Sequence, residues 1–346
     1  MTLLTDLKRL SHKNDLVKIA ALLEKHKDSP FDKAISWACE KGYSTMIGAF
    51  LTQSPHTLES EPQAWIEGFL QAVEMKHLDI VKTLLSHGMN PNAQTQHKGP
   101  AIVLAVQNQD ITMVSELLAY HPDLNCADHD GQTALIAACQ NADCSTIVEL
   151  LCTYRAQVNA PNTITGQTPL MQACQVNAAD TVQTLIAYGA QPNHQEFQNM
   201  MTPLMYAVQY ASLEVVRALL NAGAITDAKN HEGNTALCLA AIKGKTPYVH
   251  MLIEYGAQLN HANNNGYTPV MLAIEKCRIE TIQYLVSAGA NLYSANKKGL
   301  HAFAMAQSVE DEAAREAIMT ILLPRAQSSF QRFLNQTFSK LLSVFR

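Results

Sequence analysis

Pairs of adjacent aliphatic residues return along this chain at nearly constant intervals. Leu84-Leu85, Leu117-Leu118, Leu150-Leu151, Leu185-Ile186, Leu219-Leu220, Leu252-Ile253 and Leu285-Val286 lie 33 to 35 residues apart. A fixed period in that range excludes one ordinary globular core, because each unit is too small to bury its apolar face except against its neighbours. The threonines Thr133, Thr168, Thr202, Thr235 and Thr268 keep the same step. Two independent marks thus predict a row of stacked supersecondary units.

Each unit carries its own punctuation. Thr168-Pro169, Thr202-Pro203 and Thr268-Pro269 put a hydroxyl at the N-cap and a proline at the first helical position, where its missing N–H costs nothing. Gly189, Gly223, Gly256 and Gly289 follow the second apolar stretch of their units and suit the left-handed residue that ends a helix. Between units lie Asn-rich and Asp-rich segments ending in glycine, such as Asp128 to Gly131 and Asn263 to Gly266, which favour tight turns. The predicted unit is helix, turn, helix and hairpin-like loop.

This pattern resembles the ankyrin repeat, Asp-x-x-Gly-x-Thr-Pro-Leu-His-x-Ala-Ala followed by Val-x-x-Leu-Leu and Gly-Ala-Asp-x-Asn. The resemblance implies an all-α solenoid. Frames starting at Asp28, Pro62, Thr95, Asp128, Thr163, Phe197, Asn230, Asn263 and Asn296 align about nine units, the first three degenerate and the last stretched after Gln307. Residues 1–27 are expected to form an N-terminal helical cap, 28–325 the repeat array and 326–346 a C-terminal amphipathic helix. Where the family pattern has the His of Thr-Pro-Leu-His, this chain has Ile136, Met171, Met205, Cys238 and Met271. A slot that accepts Ile, Cys and Met is an apolar packing position and not a thioether ligand.

Composition narrows the function. Lys and Arg number 25 against 30 Asp and Glu, a formal charge of -5, without the basic excess that a nucleic-acid groove requires. Eight cysteines without CxxC spacing predict reduced, mostly buried thiols and a cytoplasmic setting. Cys39, Cys139 and Cys174 hold one position of their frames and are expected as small core fillers. The run from Cys126 to Gly131 has an acidic look, but Ala137 stands where a calcium loop needs its bidentate carboxylate. No catalytic constellation is apparent, so no enzyme activity, metal or cofactor is expected.

The resemblance implies a non-catalytic scaffold or adaptor that binds a partner protein, through loop tips and the inner faces of the first helices. By frame, the partner-binding candidates are Gln140, Gln175, Phe197, Met200, Met201, Tyr206, Gln209, Tyr210, Ile242 and Tyr267. Gln107, Gln140, Gln175 and Gln209 form a column of amides that either bond one another or face a partner. The unit at Phe197 carries Met200 in the place of the usual glycine, and adds Met201, Tyr206 and Tyr210, residue types that anchor interfaces. Met201 is expected on the loop tip and dispensable for folding.

Beyond Pro324 the period stops, and Phe330, Phe333, Leu334, Phe338, Leu341, Leu342 and Phe345 line one helical stripe with Arg332, Lys340 and Arg346. Such a helix caps the array, packs with a partner helix or lies on an acidic membrane. The last case is the alternative function, a membrane-recruited adaptor or a bacterial effector in a host cytoplasm. A monomer is expected in either case.

Overall fold

The computed structural model describes residues 5–7, 9, 18, 21–22, 32–53 and 62–323, and all regular structure among them is helical. Most of the expected N-terminal cap, and the whole C-terminal stripe from Phe330 to Phe345, lie outside the described residues. No helix among the described residues is long and apolar enough to cross a membrane. The chain divides into two compact units, Met1–Ala173 with Gln183–Ala190, and Cys174–Val182 with Gln191–Arg346.

In the first unit the helices pair as α1 (Asp32–Lys41) with α2 (Ser44–Gln53), α3 (Pro62–Glu74) with α4 (Leu78–Ser86), α5 (Ala101–Gln107) with α6 (Ile111–Leu118), and α7 (Ala134–Cys139) with α8 (Ser145–Thr153). The first members stack on one another in chain order, and so do the second members, giving two layers. Helices α9 (Pro169–Gln175) and α10 (Ala179–Ala187) follow. The second unit repeats the scheme with α11 (Pro203–Tyr210) and α12 (Leu213–Asn221), α13 (Ala236–Lys243) and α14 (Thr246–Glu254), then α15 (Pro269–Glu275) and α16 (Ile279–Ser287). α17 (Ala302–Gln307) packs on α15.

Helices this short do not persist alone, so packing holds them. Every residue of α7 is buried, and α12 buries Val215, Val216, Leu219 and Leu220 along one stripe. Each such aliphatic side chain contributes roughly 1.5 to 3 kcal/mol when fully removed from water. The predicted caps close: Thr133, Thr168, Thr202 and Thr235 accept the N–H of Ile136, Met171, Met205 and Cys238 at 3.3 to 3.4 Å. Thr268 differs, its buried hydroxyl having no partner among the described residues. The five residues in the former histidine slot are at most 1% exposed, as a packing role requires.

Inner helices end on carbonyls that the next pair satisfies. Lys245 donates its Nζ to the carbonyls of Val208 and Gln209 at 2.8 and 3.1 Å, and the Arg278 Nε donates to Ile242 at 3.0 Å. These contacts occupy the orphan acceptors at the C-termini of α11 and α13. Burial, reinforced by the like charge of Lys243, lowers the Lys245 pKa.

Gly189, Gly223, Gly256 and Gly289 adopt the predicted left-handed conformation, with φ from 85° to 97°. His121 and Arg155 take the same place after α6 and α8 at φ 51° and 67°, although neither is glycine.

Candidate functional site

The tip loops are built on one residue each. The side-chain oxygen of Asn230 accepts the N–H of Glu232 and Asn234, and the Asn230 N–H bonds the Asn234 carbonyl. Asn263 and Asn296 repeat this in the later loops, and Asp128 does so in the first unit. Successive tips of the second unit are joined by single backbone bonds, His231 to Asn199, Asn264 to Glu232 and Lys297 to Asn265. The tips of the second unit are therefore a braced row. Asp128 spends Oδ1 on its own turn and Oδ2 on the Gln107 amide at 3.3 Å.

Two loops depart from the pattern. Asn162 and Glu196 are the bracing residues, one position before the expected frame starts, and five residues instead of four separate each from its capping threonine. The carboxylate of Glu196, only 3% exposed, accepts the N–H of Gln198, Asn199 and Met201 at 2.6, 2.7 and 3.2 Å. An acidic group buried this deeply is tolerated because three backbone donors replace its water. Met200 occupies the left-handed position at φ 57°, where Gly131, Gly166, Gly233, Gly266 and Gly299 lie between 72° and 79°. Its substitution for glycine is thus real, and it leaves Met200 43% and Phe197 61% exposed.

Below this loop is a hollow of about 350 Å³ between α11 and α13. Tyr206, Gln209 and Tyr210 come from α11, Leu239 from α13, and the tips supply Asn199, Met201, Asn230, His231 and Glu232. Tyr206 and Tyr210 are stacked, with ring centroids 6.4 Å apart and planes inclined by 27°. Four sequence candidates, Met201, Tyr206, Gln209 and Tyr210, therefore meet around one space.

Two expectations are corrected. Met201 is 7% exposed, its sulfur receiving the Asn230 amide at 3.8 Å, so it is wall and not tip. Tyr206 lines the hollow but is only 9% exposed, whereas Tyr210 is 54% exposed. Gln140 and Gln175 are exposed, Gln209 half-buried, and among the described residues none of the three amides bonds another side chain. Within the first unit the Gln107 amide bonds Asp128 and not Gln140, and within the second Gln175 and Gln209 do not bond each other. Ile242 and Tyr267 are half-buried and lie outside the hollow.

Leu239 escaped the sequence reading. It stands four residues past its threonine, in the column of Ala137, Gln172, Tyr206 and Leu272, whose members are 6 to 9% exposed beside neighbours at or near zero. Chemical variety in that column was the available signal. A second hollow, about 600 Å³ in the first unit, is lined by Gln63, Glu67, Gln94, Thr95, Gln96, His97 and His129. It was missed because the early units lack the Thr-Pro mark that fixes the frame.

Comparison with known proteins agrees with this construction. The family model of ankyrin repeats in three copies matches residues 69–162, 156–230 and 204–296. No curated protein matches the chain. Matched over the span 69–296, and built of capped helix pairs joined by braced tips, the chain belongs to the ankyrin-repeat family.

Proposed function

We propose that the chain is a non-catalytic scaffold that captures a partner protein on the tip-and-inner-helix face of its second unit. Ankyrin repeats in general mediate protein–protein interactions. The observation that carries the assignment to this face is the loop 196–201. A buried carboxylate and a left-handed Met200 hold Phe197 and Met200 outward, beside a hollow edged by Tyr210.

Physical economy supports the reading. Exposed Phe and Met lose favourable burial and gain nothing for the free chain, whereas aromatic and Met anchors beside a pocket are what desolvated interface centres contain. Bracing lowers the ordering cost on association. The side-chain amides of Gln209 and Asn199, which bond no other side chain among the described residues, would supply orientation to a partner's backbone.

A photocrosslinking aromatic residue placed at Tyr210, and separately at Tyr255, tests the face. Tyr255 is 42% exposed at the end of α14, where its hydroxyl bonds Asn221 at 2.6 Å. Adducts with a defined protein from position 210 and none from 255 are expected. The reverse distribution overturns the assignment.

A further inference from the structure

We infer that the hollow between α11 and α13 is an arginine pocket, in which a partner's guanidinium stacks on Tyr210 and pairs with Glu232. The inference rests on the protein-capture reading above and names the chemistry that the site selects. The charge of the lining comes first. Among the described residues Glu232, itself exposed, is the only carboxylate there, and no Lys or Arg lines the space.

That carboxylate is held in place. Asn263 donates its amide to Asn234 Oδ1 at 2.9 Å, and Asn234, 2% exposed, donates its own amide to Glu232 Oε2 at 2.8 Å. A chain of side-chain amides, buried at its centre, therefore aims one acid into the hollow. Its second oxygen makes no bond among the described residues, and the group forms no ion pair there. A carboxylate oriented by the protein, with one oxygen open, fits a donor fork better than a freely rotating surface acid does.

The aromatic wall selects a flat cation. Tyr206 backs Tyr210 at 6.4 Å, so the nearly parallel pair presents the more exposed ring of Tyr210. Guanidinium is planar, is weakly hydrated and stacks on such faces, while lysine's ammonium is a compact, strongly hydrated charge. Five N–H donors need several acceptors. Beside Glu232 the lining offers the amide oxygens of Asn199 and Gln209, neither engaged by another side chain among the described residues. About 350 Å³ accommodates the head group and part of its stem.

The test uses the full chain and small probes, so it needs no identified partner. Tyr ring resonances are followed while Nα-acetyl-arginine amide, its neutral citrulline isostere, the lysine analogue and the acidic glutamate analogue are titrated. Saturable shifts of the Tyr206 and Tyr210 rings are expected with arginine, and binding about tenfold weaker or more with citrulline. Glu232→Gln should reduce arginine affinity by about tenfold, and Tyr255→Ala should leave it unchanged.

Equal binding of arginine and citrulline, or tighter binding of the glutamate analogue, overturns the proposal. The comparison on the wild type requires no variant to fold. If arginine fails while crosslinks at position 210 persist, the pocket assignment falls and the capture face stands. If arginine binds while crosslinks form only at 255, the capture face falls and the pocket remains.

Discussion

The side-chain amide of Asn230 points at the sulfur of Met201 across 3.8 Å, tying one tip loop to the brace of the next. Met201 is accordingly a packing residue between loops, although its sequence position is that of an exposed tip. Met201→Ala should cost about 2 to 3 kcal/mol, because it removes a buried side chain and leaves space that cannot fully close. Tyr210→Ala, at a half-open position, should stay within about 0.5 kcal/mol. Urea unfolding monitored by amide exchange in the 230–234 loop distinguishes the two. Equal stability losses would contradict the burial difference.

Met200 holds a conformation that costs a side-chain-bearing residue about 1 kcal/mol or more. Met200→Gly should therefore raise stability by about 0.5 kcal/mol, after the extra backbone entropy of glycine is subtracted. The reverse exchange at the next tip has the opposite outcome. Gly233→Ala would set a Cβ 2.7 Å from the backbone nitrogen of Asn264 at φ 77°, and should destabilise the second unit by more than about 1 kcal/mol. Thermal unfolding of both variants gives the signs. If Met200→Gly also weakened crosslinking at position 210, the strain would be serving the capture face.

The periodic marks made the architecture legible, since threonine caps and left-handed glycines act locally and need no knowledge of the rest of the chain. Burial of the Met slot was equally accessible, because Ile, Cys and Met share only apolar bulk. What stayed hidden depends on contacts between units of the row. The extra residue after Asn162 and after Glu196 shifts the frame by one, and Met201 moves from tip to wall because Asn230 of the following loop reaches it. Sequence chemistry alone found the tyrosines but could not show that Tyr206 backs Tyr210. Nor could it connect Asn263 through Asn234 to Glu232, a chain that exists only once the loops are stacked.

Glu196 is the brace whose removal should be felt most locally. Glu196→Ala strands three backbone donors, those of Gln198, Asn199 and Met201, and should cost about 2 to 3 kcal/mol. Glu196→Gln retains one acceptor oxygen and should cost roughly half as much, with faster exchange at Gln198 or Asn199. Hydrogen exchange resolved at these amides is the direct measurement. Unchanged protection in Glu196→Ala would show that the loop keeps its shape without the carboxylate.

The thiols predict an alkaline limit. Burial pushes Cys39 from 9.0 up to about 12 and Cys152 up to about 11, and it raises Cys174 and Cys238 as well. The folded chain therefore retains protons that the unfolded chain releases once pH passes 9.0. Stability is full below that value and falls as pH rises towards the folded pKa, by up to about 1.4 kcal/mol per pH unit for each such thiol. Lys245, depressed by burial, works in the opposite direction, but the four thiols outnumber it. Urea midpoints should decline from pH 9 to pH 10.5, and Cys152→Ala should flatten part of that slope. At pH 7.5, a disulfide reagent should leave Cys39, Cys174 and Cys238 unmodified until the chain is unfolded, when all eight cysteines react.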